Sequence, residues 1–210
     1  MRFRLIVVRH GSTQWNRERR YQGCVDTRPS EEGQVQAEAT ARVLAHRQLA
    51  AVYASPLARA QGTATAVATR HGLPVLTIPA FREICMGRWE GQTVSEIETR
   101  WPEQYAVWRE CPDTAVIPEG ESLAEAHRRV LEGLGRLRAA HEGETICVVS
   151  HGVTIRLLIL EALGLPPERL WSIQVKSAGI SELEYRDGWT AVNRMNILSH
   201  LDELAEGWRL

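Results

Sequence analysis

Val7-Val8-Arg9-His10-Gly11 and Val148-Val149-Ser150-His151-Gly152 stand near opposite ends of the chain and read almost alike. Each closes an apolar run, residues 3–8 (Phe-Arg-Leu-Ile-Val-Val) and residues 145–149 (Thr-Ile-Cys-Val-Val). Continuous β-branched runs without alternation suit strands buried on both faces, as in a parallel sheet. In open α/β sheets, ligands sit outside the carboxyl ends of the strands. The two runs therefore deliver two histidines to the edge where a ligand binds. Each histidine is followed by a glycine, which lets backbone approach a ligand closely.

Working outward, residues 51–54 and 75–78 read as two further short strands. Ser30 predicts the N-cap of a helix to about Arg47, with Glu31 and Glu32 in its first turn. A second helix runs from Leu57 to about Arg70 and ends at His71-Gly72. Ser122 caps a third to about Ala140, with Leu123, Val130, Leu134 and Leu137 on its inner face. A fourth starts near Gly152 and stops at Gly164. Residues 180–195 read as two strands around an Asp187-Gly188 turn. Strands alternating with helices predict an α/β fold, a three-layer α/β/α sandwich with a mostly parallel central sheet. Residues 84–120, with Trp89, Trp101, Trp108 and three prolines, read as a lid-like insertion of short helices and loops. One domain over residues 1–210 fits better than two.

The chain has 210 residues, a formal charge of −1 and 24% charged residues. That is an ordinary globular composition, and it excludes disorder, collagen and coiled coil. The near-neutral balance gives no reason to expect nucleic acid or an anionic membrane as partner. The basic residues are nearly all Arg, with Lys176 the single Lys. Cys24, Cys85, Cys111 and Cys147 show no metal-knuckle or redox-pair spacing. Four free thiols suit a reducing compartment, with Cys147 a small core residue. The apolar run Leu5–Val8 is too short for a signal peptide's core, so the expected location is the cytoplasm.

Two more strand ends add chemistry. Ala54-Ser55-Pro56-Leu57-Ala58-Arg59 places Arg59 in the first turn of a helix, where free amides and the dipole favour an anion. Arg9 and Arg59 can each grip phosphate oxygens with two parallel hydrogen bonds. Phe81-Arg82-Glu83-Ile84 puts Glu83 at the same edge, a natural proton donor among cations.

These residues carry a resemblance. Arg9-His10-Gly11 with Trp15-Asn16, Gln22-Gly23, Asp26, Ser55-Pro56-Leu57-Ala58-Arg59-Ala60, Arg82-Glu83, Gly87-Arg88-Trp89-Glu90-Gly91, Gly120-Glu121-Ser122 and Ser150-His151-Gly152 together resemble the histidine phosphatase superfamily. The fold this implies is phosphoglycerate mutase-like. The nearest resemblance is to small bacterial broad-specificity and α-ribazole-type phosphatases. It implies His10 as a nucleophile forming a phosphohistidine, and Glu83 as the acid that protonates the leaving alkoxide. It implies Arg9, Asn16, Arg59 and His151 as holders of the phosphoryl oxygens. Gln22 and Gly23 would border the substrate pocket, and the Gly152 amide would lie near the phosphate. The implied substrate is a small phosphorylated metabolite, with no cofactor and no metal.

Physical chemistry supports these roles. A histidine nucleophile must be neutral, and nearby Arg9 and Arg59 disfavour imidazolium. Phosphoryl transfer is mostly positioning and charge stabilisation, which Arg and His donors can supply in place of Mg²⁺. No Walker motif or metal-type His/Cys cluster competes. Ser12, the Arg28-Pro29-Ser30 stretch and Cys24 depart from the common pattern without removing a catalytic group.

Among members of the family, hydrolysis is expected over isomerisation. Glu83-Ile84-Cys85-Met86-Gly87 replaces the Glu-Arg-His-Tyr-Gly of mutases, and residues 84–120 contain no adjacent Arg pair. An apolar wall of Ile84, Met86 and Trp108 would not hold a carboxylate. The Arg-rich loop (Arg17, Arg19, Arg20, Arg28) either steers an anionic substrate or is a solvated surface. The alternatives are a cofactor-dependent phosphoglycerate mutase, a catalytically idle phospholigand-binding protein and a serine hydrolase using Ser150. The last lacks a Gly-x-Ser-x-Gly elbow. A homodimer is compatible with the sequence.

Overall fold

The computed structural model describes residues 2–202. Residues 1 and 203–210, which the single-domain reading also covers, lie outside the described residues. The apolar runs form β1 (Arg2–Arg9) and β4 (Thr145–Ser150), neighbours in one six-stranded sheet. With β2 (Ala51–Ala54), β3 (Val75–Thr77), β5 (Ile180–Arg186) and β6 (Trp189–Ile197), the strand order is β3-β2-β4-β1-β5-β6. The first four strands in that order are parallel, and β5 and β6 extend the sheet antiparallel.

Side-chain alternation sorts the core into two layers. Leu5, Val7, Ile146 and Val148 face α6 (Leu123–Ala140) and α7 (Gly152–Leu163). Ile6, Val8, Cys147 and Val149 face α2 (Glu31–Leu44) and α3 (Ala58–His71). The three-layer expectation therefore stands. The helix starts agree with the caps: Ser30 accepts from Gly33 N, and Ser122 and Glu125 form a capping box. The first of these helices ends at Leu44 rather than Arg47. A four-residue helix, α1 (Gln14–Arg17), has no counterpart in the sequence reading and is held by a Thr13–Asn16 capping box.

Residues 84–120 hold α4 (Val94–Arg100) and α5 (Pro102–Glu110). Trp89, Ile97, Tyr105 and Trp108 from this segment are buried in the same apolar cluster as β1, β4 and α7. The segment thus shares the main core. Truncating either fully buried tryptophan to Ala removes about 3–5 kcal/mol of packing by the usual measure.

The segment after β1 is seated by close backbone contact. A Cβ on Gly33 would lie 1.9 Å from the Ser12 carbonyl oxygen, and one on Gly11 would lie 2.2 Å from the Gly33 carbonyl oxygen. Ser30 N and its hydroxyl both donate to Ser12 O, and Gly11 N donates to Thr63 Oγ1. The start of α2 therefore presses on the residues that follow His10. Gly→Ala inside a helix ordinarily gains about 1 kcal/mol from propensity. At Gly33 the backbone clash outweighs it. We expect Gly33→Ala to lower unfolding free energy by roughly 2–3 kcal/mol, read by urea denaturation; a neutral or stabilised variant would refute this packing.

Candidate active site

Strand register places the two histidines. Arg9 pairs with Ser150 across β1 and β4, so His10 and His151 each stand one residue beyond the pair. His10 N donates to Ser150 O at 3.0 Å, and the two ring centroids are 5.1 Å apart. β2 ends at the same level: Ala54 pairs with Val149, and Ser55 N donates to Val149 O. A one-residue slip would turn both imidazoles to the opposite face.

His10 is 2% exposed. Its Nδ1 lies 2.7 Å from Gly11 O. A carbonyl oxygen only accepts, so Nδ1 carries the proton and Nε2 keeps a lone pair. Burial, then the charges of Arg59 and Arg9, hold the His10 pKa well below its ordinary value. The ring is a neutral base of fixed tautomer.

Arg9 donates through Nη1 to Val175 O at 2.7 Å. Its Nε is buried without a hydrogen-bond partner. A guanidinium donor with no protein partner, set among further arginines, has the chemistry to hold an anion. Burial pulls the Arg9 pKa down to about 10, with Glu83 opposing.

Arg59, the second residue of α3, is 1% exposed. Its Nη2 donates to Gly23 O, its Nη1 to Val25 O and Thr27 Oγ1, and its Nε to His151 Nδ1 at 3.2 Å. Four of its five N–H groups are therefore engaged, and the expectation of a two-bond grip by Arg59 is corrected. The backbone of residues 23–25 curls into its fork, so Arg59 offers a ligand one N–H and its charge. Burial lowers its pKa to about 10.

His151 is fully buried, with both nitrogens in use. Nδ1 accepts from Arg59, which makes Nε2 the donor to Ser55 Oγ at 2.7 Å. Burial and the Arg59 charge hold its pKa well below the ordinary value. In this state His151 braces Arg59 and stands beside His10, its ring tilted 57° to that one, without a free N–H. It lies behind the cleft, whereas Arg9, His10, Asn16, Gln22, Gly23, Arg59, Glu83 and Gly152 all line a cavity of about 370 Å³.

Glu83 rests on the start of α7. Oε2 accepts from Val153 N at 3.1 Å, and Oε1 accepts from Ile84 N at 3.0 Å and Thr154 N at 3.3 Å. Thr154 Oγ1 donates to Arg82 O, and Ser150 Oγ donates to Phe81 O at 2.7 Å, pinning this loop. With its hydroxyl so used and no surface exposed, Ser150 is not placed as a nucleophile. Asn16 Oδ1 accepts from Thr13 N, and Gln22 Oε1 accepts from Thr13 and Thr27 hydroxyls. Those bonds use the amide oxygens and not the amide nitrogens.

Several residues escaped the sequence reading. Arg156 lines the cleft one turn beyond Gly152 on α7, its guanidinium 5.2 Å from the Trp171 ring centroid and its Nε bonded to Ile173 O. The i, i+4 spacing from Gly152 is the signal that could have found it. The expected apolar wall is also corrected. Ile84 and Trp108 are wholly buried in the core, and the cleft wall is Tyr21, Met86, Val94, Val153 and Trp171 together with Arg19, Arg20 and Arg156. Side-chain direction, set by the loop's tertiary contacts, decided which apolar residues face inward.

The expectation of four free thiols is overturned in part. Cys24 and Cys85 are disulfide-bonded, 61 residues apart in sequence. Spacing could not reveal the pair because only the fold brings the loops after β1 and β3 together. Cys147 is buried as expected, and burial pushes its thiol up to about 12. No helix among the described residues is long and apolar enough to cross a membrane.

The buried imidazoles carry a pH consequence. His10 and His151 stay neutral in the fold, while in the unfolded chain they gain protons below about pH 6.5. The unfolded state then binds more protons, so stability rises with pH across that range and is lost on acidification. Thermal melts should show Tm falling from pH 6.5 towards 5, with a shallower fall in His10→Gln. Equal slopes in the two proteins would contradict neutral burial of His10.

Comparison with known proteins agrees with this geometry. The chain matches the model of the histidine phosphatase superfamily (branch 1) over residues 5–198. It is 35% identical over 200 residues to phosphoserine phosphatase 1 of Hydrogenobacter thermophilus, covering 95% of each chain. It is 31% identical over 207 residues to a probable phosphoglycerate mutase of Yersinia enterocolitica, covering 94% of each. Among solved structures, a putative α-ribazole-5′-P phosphatase from Escherichia coli superposes with a TM-score of 0.86 at 30% identity, covering 93% of this chain and 96% of that one. The matched family model runs from β1 past β6 and takes in every residue of the cleft: the chain belongs to the histidine phosphatase superfamily.

Proposed function

We propose that this protein is a metal-independent phosphomonoester hydrolase that works through a phosphohistidine on His10. The observation that carries the reading is the tautomer: Nδ1–H is committed to Gly11 O, leaving the Nε2 lone pair of a neutral ring, next to Arg9, whose Nε has no protein partner. The phosphatases among its relatives support the same reaction class.

The ester's phosphoryl group meets Arg9 Nε, the free Arg59 N–H and the Asn16 amide. Nε2 attacks phosphorus in line, the P–O bond to the leaving group breaks, and Glu83 gives that oxygen a proton. Repulsion between a bound phosphate dianion and the Glu83 carboxylate is relieved by taking up that proton. A water molecule then attacks phosphorus, the N–P bond breaks and returns its electron pair to Nε2, and Glu83 receives the water's proton as inorganic phosphate forms. The guanidinium charges do the neutralising work that a metal does elsewhere. A cleft of about 370 Å³ suits small organic phosphates.

The test is a phosphomonoester panel with and without chelator. Wild type should turn over in the presence of EDTA. His10→Ala should lose at least about 10³-fold in kcat, and Glu83→Gln about 10²–10⁴-fold, most for poor leaving groups. Phosphoglycerates are assayed for both phosphate release and isomerisation; interconversion outpacing release would overturn hydrolysis in favour of a mutase. Binding of esters without turnover would mark an idle phospholigand protein.

Arg156 and Arg19 also line the cleft, and the proposed reading sets their charge beside the leaving group. Arg156→Met should therefore raise KM about tenfold for esters with an anionic leaving group and change neutral esters less than about threefold. Equal effects on both kinds would remove Arg156 from substrate recognition.

A further inference from the structure

The loop after β1 and the loop after β3 meet at the Cys24–Cys85 disulfide, with Cα atoms 4.7 Å apart. Cys24 follows Gly23, whose carbonyl holds Arg59 Nη2. Cys85 lies two residues beyond Glu83. The bond thus ties the segment that seats the phosphate-side arginine to the segment that carries the acid.

The two sulfurs differ in surroundings. Arg82 Nη1 donates to Cys85 Sγ at 3.1 Å, and Arg82 is itself anchored on both oxygens of Glu121. A guanidinium donating to sulfur favours thiolate. Cys24 Sγ lies 3.3 Å from Glu90 Oε1, a carboxylate that favours S–H and can receive its proton. Cys85 also lines a surface hollow of about 480 Å³ with Arg82, Glu121, Arg128 and Arg129, open to a small oxidant. Glu90 Oε1 accepts from Cys24 N at 2.8 Å and Met86 N at 3.0 Å, so a carboxylate bridges the two loops beside the disulfide.

We propose that Cys85 is a peroxide-reactive modification site, resolved by Cys24, and that the resulting disulfide fixes the two loops of the active site. The Cys85 thiolate attacks one oxygen of hydrogen peroxide; the O–O bond breaks, Cys85 becomes a sulfenic acid, and the departing hydroxide leaves as water after taking a proton. Cys24 sulfur then attacks the Cys85 sulfur while Glu90 takes the Cys24 proton. The S–O bond breaks, the proton leaves with the hydroxide as a second water, and the disulfide forms. An external dithiol reverses the change and is itself oxidised to a disulfide. Because the bond closes a long segment and pins both loops, the oxidised protein is the better-ordered catalyst.

The test uses reduced full-length protein treated with hydrogen peroxide. Mass spectrometry after alkylation should show Cys24 linked to Cys85, with Cys111 and Cys147 alkylated. Cys24→Ser should accumulate a dimedone-trapped sulfenic acid on Cys85, whereas Cys85→Ser should leave Cys24 unmodified. Oxidised wild type should melt roughly 5–10 °C above the reduced form and show at least a fivefold higher kcat/KM; Cys85→Ser should stay at the reduced level under either treatment. The activity arm rests on the phosphatase reading, and the mass-spectrometric and melting arms do not. Trapping on Cys24 in place of Cys85, or identical melting of the two wild-type forms, would overturn the proposal. Cys24, Cys85 and Glu90 place donor atoms within 4.8 Å of one another. One equivalent of zinc on the reduced protein, with no disulfide formed by peroxide, would overturn it as well.

Discussion

Everything at the cleft depends on positive charge kept dry around a neutral imidazole. Arg59 is buried, and Arg9 and Arg156 are half-buried, with loss of solvation the largest influence on each. Their partners are mostly neutral carbonyls: Val175, Gly23, Val25 and Ile173. Carbonyls satisfy the N–H groups without cancelling the charge. Glu83 is the acid that acts on all three. Two unit charges 4 Å apart interact by about 1 kcal/mol in bulk water and about 4 kcal/mol at the effective dielectric near protein. A dianion entering this cleft therefore gains several times what the same contacts would give in solvent. Burial first, and the Arg59 and Arg9 charges after it, keep protons off His10, so under the proposed mechanism the charge that attracts a substrate also helps to keep the imidazole neutral.

Holding that charge in place is the work of the parallel strands. Hydrogen bonds between β1, β4 and β2 set Arg9, His10, His151 and Ser55 at one level. His151 then links β4 to α3 by accepting from Arg59 and donating to Ser55. Neither contact needs a ligand. This end of the cleft is preorganised, which would remove reorganisation from the proposed transfer step.

Legibility in the sequence followed the same division. β1, β4 and their histidines were readable because uninterrupted apolar runs have few alternatives to a buried parallel strand. Ser30 and Ser122 announced their helices through local capping chemistry. Loops were less readable. Ile84 and Trp108 were expected in the cleft and sit in the core, because no periodicity fixes direction in residues 84–120. Arg59 was expected to clasp a ligand, and instead the 23–25 backbone fills most of its fork, a tertiary contact with no local signature. The Cys24–Cys85 pair was invisible for the same reason.

That division has a chemical consequence. The groups that the proposed mechanism sets against phosphorus come from strand ends and first helical turns, where a shift costs sheet register. The rest of the cleft is lined by Tyr21, Met86, Val94, Trp171 and the second turn of α7, where a substitution alters shape or charge and leaves the sheet intact. Under that mechanism the reaction is held by the most constrained part of the molecule and the choice of leaving group by the least. A fold arranged this way can keep one nucleophile and change its substrates, and likeness to relatives with differing names speaks to the first of these properties far more than to the second.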